Sequence, residues 1–81
     1  MNPAAETAVL LSLLVRSMVT DRDAVQITQV PISGGTCFKI QVAHAEVGKL
    51  IGKSGRVARL LRQVLWCIAQ ENGTYFELVV N

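Results

Sequence analysis

Few residues of this 81-residue chain could do chemistry, and they gather in one place. Five of the eight basic residues, Lys49, Lys53, Arg56, Arg59 and Arg62, lie in a stretch that holds no Asp or Glu. That stretch carries +5 while the whole chain carries +2, so the remainder sums to −3. In its middle stands Gly52-Lys53-Ser54-Gly55, a turn bracketed by glycines. A helix beginning after it places Arg56, Arg59 and Arg62 along one stripe, stepping by about 60° per residue triplet, with Val57, Leu60, Leu61, Val64, Leu65 and Ile68 on the other side. Most basic stripes are solvated surface. This one starts at a helix N-terminus, where several N–H groups lack intrahelical partners and attract anions, phosphates above all.

Other chemistries find no support. The single His44 has no Ser, Cys or carboxylate constellation to activate, so it reads as a turn residue. Cys37 and Cys67 are far apart with no CxxC spacing, which signals neither a disulfide framework nor a metal site. Glu46 and Glu71 bracket the basic window as helix-terminal charges. No catalysis, cofactor or small-molecule substrate is expected. Lys53-Ser54 after Gly52 is similar to a Walker A loop, but that loop needs four residues between its glycines and a preceding strand, and Gly48 to Gly52 leaves only three. The alternative for a glycine-bracketed turn between two helices is a clamp on a sugar-phosphate backbone. Small residues at Gly52 and Gly55 would let that backbone approach, with Lys53 adding charge and Ser54 a hydroxyl.

The elements that must position this turn follow from periodicity. At 8.8 kDa there is room for one domain, residues 1–81. Hydrophobic residues make up 51% and charged residues 17%, against roughly 25% charged in an average soluble domain, so the chain folds and keeps apolar surface to spare. Ala8 to Val15 is apolar enough to imitate a signal peptide, but Glu6 precedes it and Arg16 follows, and it is too short to span a bilayer. A cytoplasmic protein without membrane association is expected. A helix from Pro3 to about Val19 takes Asn2 as its cap, with Leu10, Leu11, Leu14, Val15 and Met18 as its apolar face. Strands follow over Ala24 to Pro31 and Thr36 to Ala43, joined by Ser33-Gly34-Gly35. In the second strand Phe38, Ile40 and Val42 alternate inward, with Cys37, Lys39 and Gln41 outward.

A short helix then carries Val47, Leu50 and Ile51 up to Gly52, and a longer one runs from Arg56 to about Asn72, closed by Gly73. Thr74 to Val80 alternates as a third strand, with Phe76, Leu78 and Val80 inward, and a right-handed crossover lays it parallel to the second. The expected fold is α+β, order αββααβ, with three helices on one face of a three-stranded mixed sheet.

Val47-Gly-Lys-Leu-Ile-Gly-Lys-Ser-Gly-Arg-Val-Ala-Arg-Leu-Leu-Arg62 resembles the core KH motif, and the element order is similar to the type II KH arrangement. Over its full length the chain resembles the small bacterial single-KH RNA-binding proteins of the KhpA type. Ser17-Met18-Val19 and Val42-Ala43 share in the likeness. Asp21-Arg22-Asp23 and His44 depart from it, since relatives often carry Asn-Pro-Asp and Pro there. The resemblance implies a groove for about four unstacked nucleotides of single-stranded RNA. One wall would be the short helix, the Gly52–Gly55 loop and the start of the next helix; the other would be Thr36 to Ala43. Gly52, Lys53, Ser54 and Gly55 would grip the backbone, with Lys49 and Arg56 flanking. Val47, Leu50 and Ile51 would offer the bases an apolar floor, and Arg59 and Arg62 would continue the basic stripe. Homodimerisation and pairing with a larger KH-containing bacterial protein are implied by the same likeness.

Trp66 falls on the arginine side of its helix. A dimer or partner contact, shared with Leu61, is favoured there over base stacking, with partial burial the plain alternative. Tyr75 and Lys39 read as solvated.

Overall fold

The computed structural model describes residues 2–81, and the chain follows the order read from its periodicity. Helix α1 spans Pro3–Met18, strands β1 and β2 span Gln26–Ile32 and Gly35–Gln41, α2 is Val47–Ile51, α3 is Arg56–Glu71 and β3 is Tyr75–Val80. The sheet order is β1-β2-β3, with β1 antiparallel and β3 parallel to the central β2. All three helices lie over one face, the expected type II KH-like arrangement.

Local chemistry starts and stops these elements. The Asn2 side chain accepts from the Ala4 N–H at 2.8 Å, and Pro3 fills the first helical position, where an N–H would have no partner. Gly73, at φ +63°, closes α3 in the left-handed conformation while Thr74 N–H reaches back to the Ala69 carbonyl at 3.0 Å. Arg22–Ala24 forms a single 3₁₀ turn, closed by Val25 N–H on the Arg22 carbonyl, which delays β1 to Gln26 from the expected Ala24.

Phe38, Leu11, Ile40, Leu50, Leu65 and Val15 are fully enclosed and form the centre of the core. Phe38 and Phe76, on adjacent strands, meet edge to face with centroids 5.0 Å apart, an arrangement worth about 0.5–1.5 kcal/mol beyond the area it buries. Two expectations are corrected. Cys37, assigned to the outer face, is buried, because a small side chain on the central strand is flanked by its register partners Val30 and Glu77. The buried stripe of α1 is Ala4, Thr7, Leu11 and Val15, whereas Leu10 and Leu14 are exposed. That helix packs chiefly on β1, an edge strand, and so has a neighbour along only a narrow band. Thr7 tolerates burial because its hydroxyl donates to the Pro3 carbonyl at 2.7 Å.

Candidate nucleic-acid interface

The short helix α2 ends where Gly52 N–H bonds the Gly48 carbonyl at 2.9 Å. The chain then turns through three residues of positive φ, Gly52 at +79°, Ser54 at +57° and Gly55 at +73°, before α3 begins. The two glycines are required for different reasons. A Cβ on Gly52 would stand 2.5 Å from Val57 Cγ2 and 2.8 Å from the Val57 nitrogen, so here the residue lets the loop fold onto α3. A Cβ on Gly55 would meet nothing within 4 Å, so only its conformation asks for glycine. Ser54 adopts the left-handed region as a non-glycine residue, and its carbonyl accepts from Arg59 Nη2 at 2.8 Å. Gly55 occupies the cap position of α3, no side chain caps that helix, and the Arg56 N–H donates to the Lys53 carbonyl.

The five basic residues of the window divide by partner. Lys53 and Arg56 are exposed beside the loop. Arg59 braces the loop through Ser54, and Arg62 Nη2 reaches the Leu78 carbonyl at 3.5 Å. Lys49 Nζ donates to Glu46 Oε1 at 3.2 Å and to Thr20 Oγ1 at 3.4 Å, so part of its charge is already answered.

Glu46 is a residue whose role sequence reasoning missed. Its side chain is buried, accepting from the backbone N–H groups of Thr20 and Asp21 as well as from Lys49. Those backbone donors hold its carboxyl down at about 2, against 4.5 ordinarily. This clasp fastens the entry to α2 onto the turn after α1. Its partners lie 26 and 25 residues away, so no local signal announces it.

Strand β2, which carries the expected second wall, is the centre of the sheet and is paired on both edges. The outer edge of β3 is free among the described residues, and Arg62 joins it to the basic stripe. Asn81 N–H bonds the Ile40 carbonyl and its own carbonyl accepts from Val42, so by alternation the main-chain groups of Phe76, Leu78 and Val80 point outward.

The apolar floor shrinks, because Leu50 is fully enclosed and supports the loop from beneath; Val47 is half-buried and Ile51 is 38% exposed. Leu61, assigned to a partner contact, is a core residue, since with Ala58, Leu65 and Ala69 it forms the stripe turned to the sheet. Its neighbours Leu60 and Val64 are the exposed ones, at 55% and 42%. Trp66 is 59% exposed and lines a pocket with Arg62, Leu65 and the Tyr75–Leu78 segment of β3. Tyr75 donates its hydroxyl to Glu77 Oε1 at 3.2 Å, and that bond raises its ionisation above the ordinary value. Among the described residues no cluster of His, Cys, Asp and Glu could hold a metal, and no helix is long and apolar enough to cross a membrane.

Residues 9–80 match the family model described as KhpA/KhpB, KH domain. The chain is 34% identical over 64 residues to the RNA-binding protein KhpA of Aquifex aeolicus, covering 79% of this chain and 81% of that one. It is 35% identical over 71 residues to the RNA-binding protein KhpA of Treponema pallidum, covering 88% and 89%. With that of Streptomyces coelicolor it shares 36% over 58 residues, covering 72% and 73%. No solved structure matches the chain.

Proposed function

The chain belongs to the KhpA/KhpB KH-domain family, and from that premise we propose that it binds single-stranded RNA by clamping the sugar-phosphate backbone at Gly52-Lys53-Ser54-Gly55. The family is non-enzymatic, so RNA is held without being altered. The observation that carries the reading is the loop itself: a left-handed turn opening onto an uncapped helix terminus, with Lys53 and Arg56 exposed on either side. Phosphate contacts there position the strand, and the groove continues past Arg59 and Arg62 to the free edge of β3. Val47 and Ile51 offer apolar surface for bases leaving the loop. So small a footprint gives weak binding per copy, which pairing of copies would raise through effective concentration. In this reading the protein is a cytoplasmic post-transcriptional or RNA-chaperone-type regulator.

The test is anisotropy of a short labelled single-stranded RNA with wild type and the Lys53→Asp, Ser54→Asp double variant, each confirmed folded by circular dichroism. Binding should disappear in the variant alone; equal binding by both would sink the clamp. The salt dependence sharpens it. A log–log slope near −0.7 per phosphate, for one or two contacts, marks a minimal clamp, and a slope several times steeper brings in the stripe through Arg62.

A second reading, pairing with another copy or with a larger KH-containing protein, is supported by exposed Val9, Leu10 and Leu13 on α1 and by Trp66. A charge at Leu61 cannot probe it, because that side chain is in the core and the chain would unfold. Leu13→Asp and Trp66→Ala, both at exposed positions, are the informative variants.

A further inference from the structure

We propose that the pocket between α3 and the outer edge of β3 seats one nucleotide of the bound strand, its base stacked on Trp66 and its phosphate held by Arg62. This rests on the RNA-binding reading above and gives the strand a second anchor, away from the loop. The pocket has a volume of about 380 Å³. Its floor is apolar, made by the enclosed side chains of Leu65, Phe76 and Leu78. Because β3 alternates and Phe76 and Leu78 turn toward the helices, Tyr75 and Glu77 direct their side chains to the other face of the sheet. Those two residues border the pocket through main chain. Among the described residues that line it, Arg62 is the one whose charge faces the space, so the site is cationic.

Arg62 and Trp66 stand four residues apart on α3, which makes them neighbours on one face, one turn apart. A nucleotide has the same layout, with a phosphate and a base at opposite ends of one sugar. Arg62 uses Nη2 for a long bond of 3.5 Å to the Leu78 carbonyl and keeps further donors for an anion. Trp66 is 59% exposed, far more than core packing would leave, and offers a ring face.

Two observations select a nucleotide of the same RNA over a protein side chain. The first is the company Trp66 keeps. Its neighbours along the helix face are Arg62, Gln63 and Gln70, all exposed and polar, where the centre of a protein contact would be ringed by apolar side chains. The second is continuity: Arg56 is exposed beside the loop, Arg59 holds the Ser54 carbonyl and Arg62 holds the Leu78 carbonyl, so one cationic path leads from the clamp to the pocket mouth. From Arg56 to Trp66 it covers ~15 Å of helix, within the span of a few nucleotides. Stacking on an aromatic ring beside a basic groove holds a single strand whatever its base, because every base has a π face. The pocket therefore adds affinity and length dependence and leaves the base unread.

Trp66 is the only tryptophan in the chain, so its fluorescence reports on this pocket directly. The experiment titrates wild type with oligouridines of increasing length, from the dinucleotide upward, reading fluorescence and anisotropy together. Affinity should step up roughly tenfold at the length that first quenches Trp66. Trp66→Ala should lose that step, and Trp66→Phe should keep most of it. Arg62→Gln should make the log–log salt slope of the longer strands shallower by about 0.7, the share of one phosphate, a change that Trp66→Ala does not produce. Circular dichroism confirms that each variant is folded.

Affinity that shows no step while the ring stays unquenched, with Lys53→Asp, Ser54→Asp still abolishing binding, would overturn the pocket and leave the clamp standing. Two further results would also overturn it. Quenching by adenosine monophosphate at the affinity of the longest strand would assign the site to a free nucleotide. Unchanged RNA affinity of Trp66→Ala, combined with lost self-association in sedimentation, would assign the surface to protein. Absence of any RNA binding would remove both readings together.

Discussion

The molecule contains two glycine turns that look alike on paper and behave differently in space. Ser33-Gly34-Gly35 joins β1 to β2, and Gly52-Lys53-Ser54-Gly55 joins α2 to α3. Both place glycine in the left-handed region, Gly34 at +81° and Gly52 at +79°. In the hairpin turn the glycine that follows is pressed against a neighbour: a Cβ on Gly35 would fall 1.7 Å from the Tyr75 carbonyl oxygen, its partner in the parallel pairing of β2 and β3. In the other turn the last glycine faces empty space, with basic side chains on either flank. A turn closed in by backbone is a joint of the fold. A turn that opens onto solvent at an uncapped helix end is free to hold something.

The sharpest way to break that contrast is Gly35→Ala. Backbone has to part from backbone, so the β2–β3 pairing should loosen at a cost of roughly 3 kcal/mol or more, read from urea unfolding. Gly52→Ala comes next, at about 2–3 kcal/mol, because its positive φ and its contact with Val57 both resist a side chain. Gly55→Ala should cost only ~1 kcal/mol, the penalty of the left-handed conformation alone. Equal losses at positions 52 and 55 would show that the loop is more enclosed than its geometry indicates.

A further effect is confined to acid. Glu46 titrates at about 2 when folded and near 4.5 when free, so its stabilisation is complete above pH 4.5 and is lost as pH falls from there toward 2. Glu46→Gln should flatten the pH dependence of unfolding in that window, and a variant with the wild-type slope would show that the clasp holds nothing.

Much of this was legible in the sequence because it depends on near neighbours. Asn2-Pro3 announces the start of α1, Gly73 the end of α3, and the alternation of Phe38 and Ile40 the face of β2 that meets the helices. The Gly52–Gly55 turn and its basic flank are likewise read in order along the chain. The misreadings have a common cause. Helical phase groups Leu60, Leu61 and Val64 on one side of α3, but which of them is enclosed depends on how far the sheet extends beneath, and Leu61 alone is buried. On α1 the same uncertainty of width left Leu10 and Leu14 outside.

By itself the sequence determined the element order, the inward faces of the second and third strands and the place and charge of the loop, since these arise from local conformational preference and from alternation. Only the tertiary structure decided that β2 is the centre of the sheet and β3 an edge, because edge and centre are set by which strands pair. It also brought Glu46 to the backbone of Thr20 and Asp21, and Trp66 to the edge of β3. Those groups come from separate elements, and their meeting is a property of packing that no spacing along the chain encodes.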